Sequence, residues 1–415
     1  MSFFRINIYL TIKLFILSWF ISEKKINKKI DTRLKFISKK KNIILTSQLR
    51  VAFMLTLEYL KKKYPKKKEI IINSYNLAEM ANICKNLGLK IVFTKLNENL
   101  FLDGFDLKKK LNRNTLAVVT TNIFNTYNSV KSVKAICQRA KVPMIEDNAI
   151  YFGNYKIIRK RKIFSGSFGD YVLNSFNIMK NISAMYGGSV STNDMEFVKY
   201  ANQEIAHYKK FPIIKFLKQT LIFIILKILK IKLIYKYLFI HLIKKANKNN
   251  NLFILGLVYP SIKFKLQKIP KEYFTQINKL SKKMIYIQLY DRKNFDKNHI
   301  KKRYNNIYYY KTLKRKKIKQ IELIRYEDSN FQNFNDFPIL VKEKKELVNY
   351  LFSKGIETKT IQYIDCQNIF SRNKSKHLDY YEDRILCLPN HLEISKEYIN
   401  YIIDNLIKFY EVKSN

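Results

Sequence analysis

Glycine and proline are scarce, at 9 and 7 in 415 residues. A collagen-like fibre or a Pro/Gly-rich disordered segment needs far more of both, and 47% hydrophobic content is more than a chain that stays unfolded carries. The chain is globular and long enough to bury a large core in two domains. Cysteine is also sparse. Cys84, Cys137, Cys366 and Cys387 form no Cys-x-x-Cys pair, and the five histidines fall at no ligand spacing. No metal site is expected, and a reducing cytoplasm suits the thiols. The largest deficit is in carboxylates: 32 Asp and Glu against 79 Lys and Arg give a formal net charge of +47. Such an excess ordinarily marks a nucleic-acid or anionic-membrane partner. Here it is diffuse. Lys, Asn, Ile, Tyr and Phe share A/U-rich codons and are abundant together, which accounts for part of it; no groove-reading motif accompanies the charge, so no nucleic-acid partner is expected.

Against this background one constellation carries chemistry. Lys180 follows Ser175 by five residues in GSFGDYVLNSFNIMKN (Gly166–Asn181), and Asp147 ends the apolar run of PMIEDNA, Pro143–Ala149. The run reads as a parallel strand, with a helix over Ser132–Ala140 before it, so Asp147 falls where open α/β sheets place ligands. An amine, a carboxylate and a hydroxyl together are what pyridoxal phosphate requires. The amine holds the aldehyde and later moves a proton, the carboxylate keeps the ring nitrogen protonated, and the hydroxyl helps to grip the phosphate. Taken singly, each residue has a plainer reading: a surface lysine, a helix-capping Asp, an unremarked Ser. Together, flanked by Gly166, Ser167, Gly169, Gly187 and Gly188, they are far more specific.

At this point GSFGDYVLNSFNIMKNISAMYGGSVSTND resembles the signature of the DegT/DnrJ/EryC1/StrS sugar aminotransferases, a branch of the fold-type I pyridoxal phosphate enzymes. The resemblance is close over roughly residues 40 to 200 and looser in DFPILV, LFSKGIETKT and LCLPNHLEISKEYI. It implies Lys180 as the Schiff-base lysine, Asp147 of the Ile145-Glu146-Asp147 triplet as the ring aspartate and Ser175 as a phosphate ligand. In this resemblance Gln48 and Leu49 occupy the phosphate-binding turn, Leu77 the place of a ring-stacking aromatic, and Ile150 that of a glutamine bonding the ring hydroxyl. All four depart from the family's usual pattern: Thr46 to Arg50 lacks a glycine, and Leu77 and Ile150 can supply dispersion but no hydrogen bond. The family's Gly-x-Asn-x-Arg segment is also missing. Retention of Lys180 argues against the dehydratase relatives, which replace it.

What the resemblance implies is an aminotransferase that passes an amino group, from a donor such as glutamate, to a keto-sugar on a nucleotide or lipid diphosphate, working as a homodimer in polysaccharide or glycoconjugate biosynthesis. The alternative is a catalytically degenerate relative serving as a membrane-associated scaffold or partner subunit.

Two hydrophobic stretches lie outside the signature. Ile6–Ile21, interrupted by Lys13, reads as an interfacial or docked helix. In 211–243, Leu217, Leu221, Ile224, Ile228, Ile231, Tyr235, Leu238 and Leu242 step by four and three, which aligns them on one helical face. Ile222, Phe223, Ile225 and Phe239 widen that stripe. The segment reads as a peripheral contact at the inner face of the cytoplasmic membrane, the other reading being a helix packed on the core or a partner. Ala246–Asn251 reads as a returning loop. The expected organisation is a hydrophobic/basic arm (1–39), a large cofactor-binding domain (40–205) with a mostly parallel sheet and helices on both faces, a basic amphipathic insert (206–250), and a smaller α+β domain (251–415).

Overall fold

The computed structural model describes residues 8–24, 26–242, 245, 267–327, 330–359, 363–371 and 381–414. Helices α1 (Ile12–Phe20) and α2 (Ile26–Ser38) lead to β1 (Asn42–Thr46), α3 (Leu49–Lys63), β2 (Glu69–Asn73), β3 (Tyr75–Asn76), α4 (Ala78–Asn86), β4 (Lys90–Thr94) and α5 (Gly104–Lys110). Next come β5 (Thr115–Thr121), α6 (Tyr127–Arg139), β6 (Met144–Asp147), the hairpin β7 (Tyr155–Ile158) and β8 (Arg161–Phe164), β9 (Tyr171–Ser175), β10 (Gly188–Thr192) and α7 (Met195–His207). Local chemistry sets several of these ends. Thr126 and Ser129 cap α6 reciprocally, so the helix starts earlier than Ser132. Gly88, at φ +69, turns the chain out of α4 where a Cβ would be strained.

Seven strands form one sheet in the order β1-β10-β9-β6-β5-β2-β4. From β9 to β4 the neighbours are parallel, while β10 and β1 join antiparallel at the edge. Both faces are covered, which is why the central strands are continuously apolar. Ile71, Val118 and Met144 pack against α6, and Ile70, Ile72, Val119 and Ile145 face the side of α3, α4 and α7. This is the expected α/β architecture, a mostly parallel sheet with helices on both faces.

After α8 (Ile213–Leu229) and a helical turn over 232–239 come α9 (Lys279–Tyr290), α10 (Arg292–Lys316), β11 (Ile321–Leu323), β12 (Asp336–Val341), α11 (Lys344–Ser353), β13 (Ile364–Asp365), α12 (Cys366–Phe370), β14 (Ile385–Pro389) and α13 (Lys396–Ser414). Strands β11, β12 and β14 form a three-stranded antiparallel sheet. Its Phe337, Ile339 and Leu388 share one apolar cluster with Val118 and Val130 of the large sheet's side. β13 pairs with β3, Ile364 opposite Asn76, and so brings the C-terminal chain to the carboxyl end of the large sheet.

The insert departs from the expected pattern. Seven of the eight stripe residues, all except Tyr235, are between 43% and 59% exposed, whereas Tyr235 is fully buried. The helix is interrupted at Lys230–Ile231 and a π-helical turn spans Tyr235–Phe239, so no single 3.6-residue period runs through the stripe. Phe223 and Phe239, expected to widen the outer stripe, belong to an inner face with Phe216 and Leu226. The insert is therefore apolar on two sides, not one. Ile243 and the returning loop Ala246–Asn251 lie outside the described residues.

Gly88→Ala is expected to lower the unfolding free energy by about 1 kcal/mol, the cost of a Cβ in left-handed backbone. Urea denaturation measures it.

Candidate active site

The carboxyl ends of β6 and β9 bring the candidate residues together. Asp147 is the last residue of β6, between Thr121 of β5 and Leu173 of β9, and is 5% exposed. One carboxylate oxygen accepts the Ala149 N–H at 2.9 Å. Burial pushes its pKa up to about 6, against the pull of the Ala149 amide and the positive charge of Lys180. Lys180 responds in kind. Burial lowers its pKa to about 8, opposed by Asp147 and assisted by the charge of Lys359. The structure thus places a buried acid and a half-buried amine within electrostatic reach of each other, each drawn toward neutrality.

Much of the loop that carries Lys180 is fastened by hydrogen bonds. Phe176 N–H donates to Gly187 O and Ala184 N–H to Phe176 O, closing its base. The Asn181 amide donates to the carbonyls of Ile150 and Phe152, and its oxygen accepts from Lys302 Nζ of α10 at 3.2 Å. Gln288 of α9 clasps Ser183 through both backbone groups, at 3.0 and 2.7 Å. A loop so over-determined holds its lysine in one place.

A second group of donors lies beside it. Ser175 ends β9 opposite Gly188, which lies opposite Thr46 of β1. Gln48 follows in extended backbone, and α3 opens at Leu49 with no side-chain cap on its first N–H groups. Uncapped N–H groups at a helix start, with the helix dipole behind them, form an anion site. A Cβ at Gly188 would lie 2.5 Å from the Gln48 carbonyl carbon and the Leu49 nitrogen. The glycine absent from Thr46–Arg50 is therefore matched by one on the facing strand, which allows β10 to press against the turn.

The remaining candidates stand differently. Ile150 is partly buried on the main core, and its carbonyl serves as an anchor for Asn181. Leu77 caps α4 with its N–H bonded to Asn76 Oδ1, and its side chain is 38% exposed. Neither side chain offers a hydrogen bond. Glu146, beside Asp147, is wholly buried and plays a structural part: it accepts from Asn122 Nδ2 and from the N–H groups of Gly166, Phe168 and Gly169, all at 2.8–2.9 Å. This explains the GSFG sequence, since a Cβ at Gly169 would lie 2.7 Å from Glu146 Cβ.

Two residues escaped the sequence reading. Lys359 bears on Lys180 electrostatically and pairs with Asp336 at 3.1 Å. Tyr363 is buried with its ring 5.8 Å from that of Tyr75, and burial, reinforced by the charge of Asp147, raises its hydroxyl pKa. Tyr75 stood in a recognisable Ser-Tyr turn; Lys359 and Tyr363 reach the site through long-range pairing that no local pattern announces.

An amine near neutrality, a buried carboxylate, a hydroxyl and an uncapped helix start suit pyridoxal phosphate by the chemistry of each donor. Comparison with known proteins bears on this. The model of the DegT/DnrJ/EryC1/StrS aminotransferase family matches residues 12–210. A GDP-perosamine synthase of Vibrio cholerae is 29% identical over 126 residues, 30% of this chain and 33% of that protein. A UDP-4-amino-4,6-dideoxy-N-acetyl-beta-L-altrosamine transaminase of Helicobacter pylori is 27% identical over 128 residues, 31% and 33% of the two chains. The chain thus matches about a third of the length of these curated relatives. Among solved structures, a Helicobacter pylori aminotransferase involved in the biosynthesis of pseudoaminic acid superposes with TM-score 0.72 at 17% identity, covering 99% of this chain and 100% of that one. An E. coli GDP-4-keto-6-deoxy-D-mannose-3-dehydratase with bound hydrated PLP gives 0.70 at 18% identity, covering 98% and 99%. The fold is that of the fold-type I pyridoxal phosphate transferases.

Two outcomes follow from the geometry. Glu146→Gln should cost about 2–4 kcal/mol of stability by turning an amide toward N–H groups that need an acceptor, measured by chemical denaturation. The rate of pyridoxal phosphate uptake should rise with pH through about 8, as Lys180 loses its proton and becomes a nucleophile. The pair's contribution to stability has the opposite sign in two windows. Asp147, raised to about 6, becomes costly as pH rises from about 4 to 6, whereas the cost of charged Lys180 is relieved above about 8. Thermal unfolding of the cofactor-free protein against an Asp147→Asn/Lys180→Met variant reads both.

Proposed function

We propose, from the match of the DegT/DnrJ/EryC1/StrS aminotransferase family model to residues 12–210, that the protein is a pyridoxal phosphate-dependent aminotransferase. Its acceptor is a keto-sugar on a nucleotide or lipid diphosphate, its donor an amino acid such as glutamate, and its working form a homodimer serving polysaccharide or glycoconjugate biosynthesis. The observation that carries this reading is that Asp147, buried at the carboxyl end of β6, and the half-buried Lys180 lie within electrostatic reach of each other. The division into arm, large domain, insert and small domain, with 211–243 at the inner face of the cytoplasmic membrane, belongs to the same reading.

Each residue has a task. Asp147 would supply the carboxylate for the ring nitrogen. Ser175, with Gln48 and Leu49 at the N-terminal end of α3, would hold the phosphate, and Leu77 and Ile150 would offer apolar contact to the ring. When bound, the cofactor supplies a sink for the electrons of the carbon that carries the amino group. Lys180 would hold the cofactor's aldehyde and would supply the amine that moves a proton to and from that carbon. A pKa of about 8 suits this exchange, because near neutral pH the amine can both accept and return a proton. Lys359, close enough to depress Lys180, adds positive charge that would favour a diphosphate carrier.

The second reading, a degenerate scaffold or partner subunit, is favoured by the lack of hydrogen-bonding side chains at Leu77 and Ile150. One experiment separates the two. The protein mixed with pyridoxal phosphate should develop a visible absorbance band that survives gel filtration, and borohydride reduction should fix the label on the peptide containing Lys180. Lys180→Ala should lose both signals, while Asp147→Asn should keep the band and lose about a hundredfold or more in turnover. A colourless protein with no label would leave the scaffold reading.

A further inference from the structure

Helix α8 lies over the loop that carries Lys180. Its inner face, Phe216, Thr220, Phe223 and Leu226, is buried, and Phe216, Phe223 and Leu226 share an apolar cluster with Phe176, Ile178, Ile182 and Met185 of that loop. Helix α1 is its neighbour: Phe15 meets Phe223 with ring centroids 5.2 Å apart, and Lys227 Nζ donates to Ile8 O at 2.9 Å. The outer side of this pair is bare hydrocarbon. Ile214, Leu217, Leu221, Ile225 and Ile228 are between 45% and 67% exposed. On α1, Ile16, Trp19 and Phe20 are 51%, 46% and 80% exposed. Soluble proteins rarely leave so many large apolar side chains together in water unless something covers them.

Charge selects the cover. No Asp or Glu occurs between Glu204 and Glu272, nor before Glu23, so these segments carry cations alone. Lys13, Lys209, Lys210 and Lys218 are exposed. Docking a second copy on the same face would set lysine against lysine. An anionic bilayer presents the opposite charge and an apolar interior in one surface. Among the described residues no helix is long and apolar enough to cross a membrane, and α8 has 17 residues, so the helices would lie in the interface plane. We propose that the outer face of α1 and α8 is a docking surface for anionic phospholipid membrane, with its apolar side chains in the headgroup boundary and its lysines against the phosphates. The inference deepens the peripheral-membrane part of the reading above and does not depend on amino transfer.

The chain carries its own reporter, since Trp19 is its only tryptophan and lies on this face. The full-length protein is mixed with phosphatidylglycerol-rich vesicles and, separately, with pure phosphatidylcholine vesicles. The first should shift Trp19 emission to the blue and carry the protein into the pellet; the second should do so much more weakly. The variant Leu217→Glu/Leu221→Glu/Ile228→Glu, altered only at exposed positions, should partition at least about tenfold less. Its far-ultraviolet circular dichroism should match the parent's, and so should its cofactor absorbance if the parent develops one, which separates loss of docking from loss of cofactor chemistry. No emission shift and no sedimentation would overturn the proposal. Equal partitioning into both vesicle types, or of parent and variant, would do the same. If the triple variant instead converts a dimer into a monomer, the face seats a second copy and the proposal falls.

Discussion

A buried carboxylate and a half-buried ammonium group near each other set the terms for the rest of the structure. Either alone would be driven neutral by burial. Together they stay poised, Asp147 near 6 and Lys180 near 8, because each lowers the other's cost of carrying charge. Such an arrangement needs backbone that does not give way. A parallel strand end supplies it for the acid, and a loop fastened to α9 and α10 supplies it for the amine.

The fold was legible where periodicity and punctuation agree. The apolar runs of β2, β5 and β6, buried on both faces, announce a parallel sheet, and Gly88 marks the end of α4. The Lys180, Asp147 and Ser175 constellation could be proposed from sequence, since the chemistry of a cofactor constrains residue types. Glu146 could not have been assigned its part this way, because its partners are backbone N–H groups twenty and more residues on, and a backbone N–H has no sequence. Lys359 and Tyr363 were hidden for a related reason: they arrive through the pairing of β13 with β3 and the bridge between Lys359 and Cys387.

The insert shows the limit of reading a stripe. Stepping by four and three does align Leu217 through Ile231 on one side, but alignment does not say which side faces the protein. In α8 both sides are apolar, and the bulkier aromatics Phe216 and Phe223 take the inside while the branched aliphatics remain outside. Aromatic side chains bury more area each and interlock with Phe15 and the loop beneath. The stripe also presumes one unbroken period, which the π turn at Tyr235–Phe239 interrupts.

Phe176, Ile178, Ile182 and Met185 face upward into the same apolar bed on which Phe216, Phe223 and Leu226 rest. Close-packed interiors have little slack, so a tilt or slide of the upper layer cannot be absorbed within it. The segment bearing Lys180 therefore shares its bedding with α8, and whatever load that helix bears is passed to the loop beneath it.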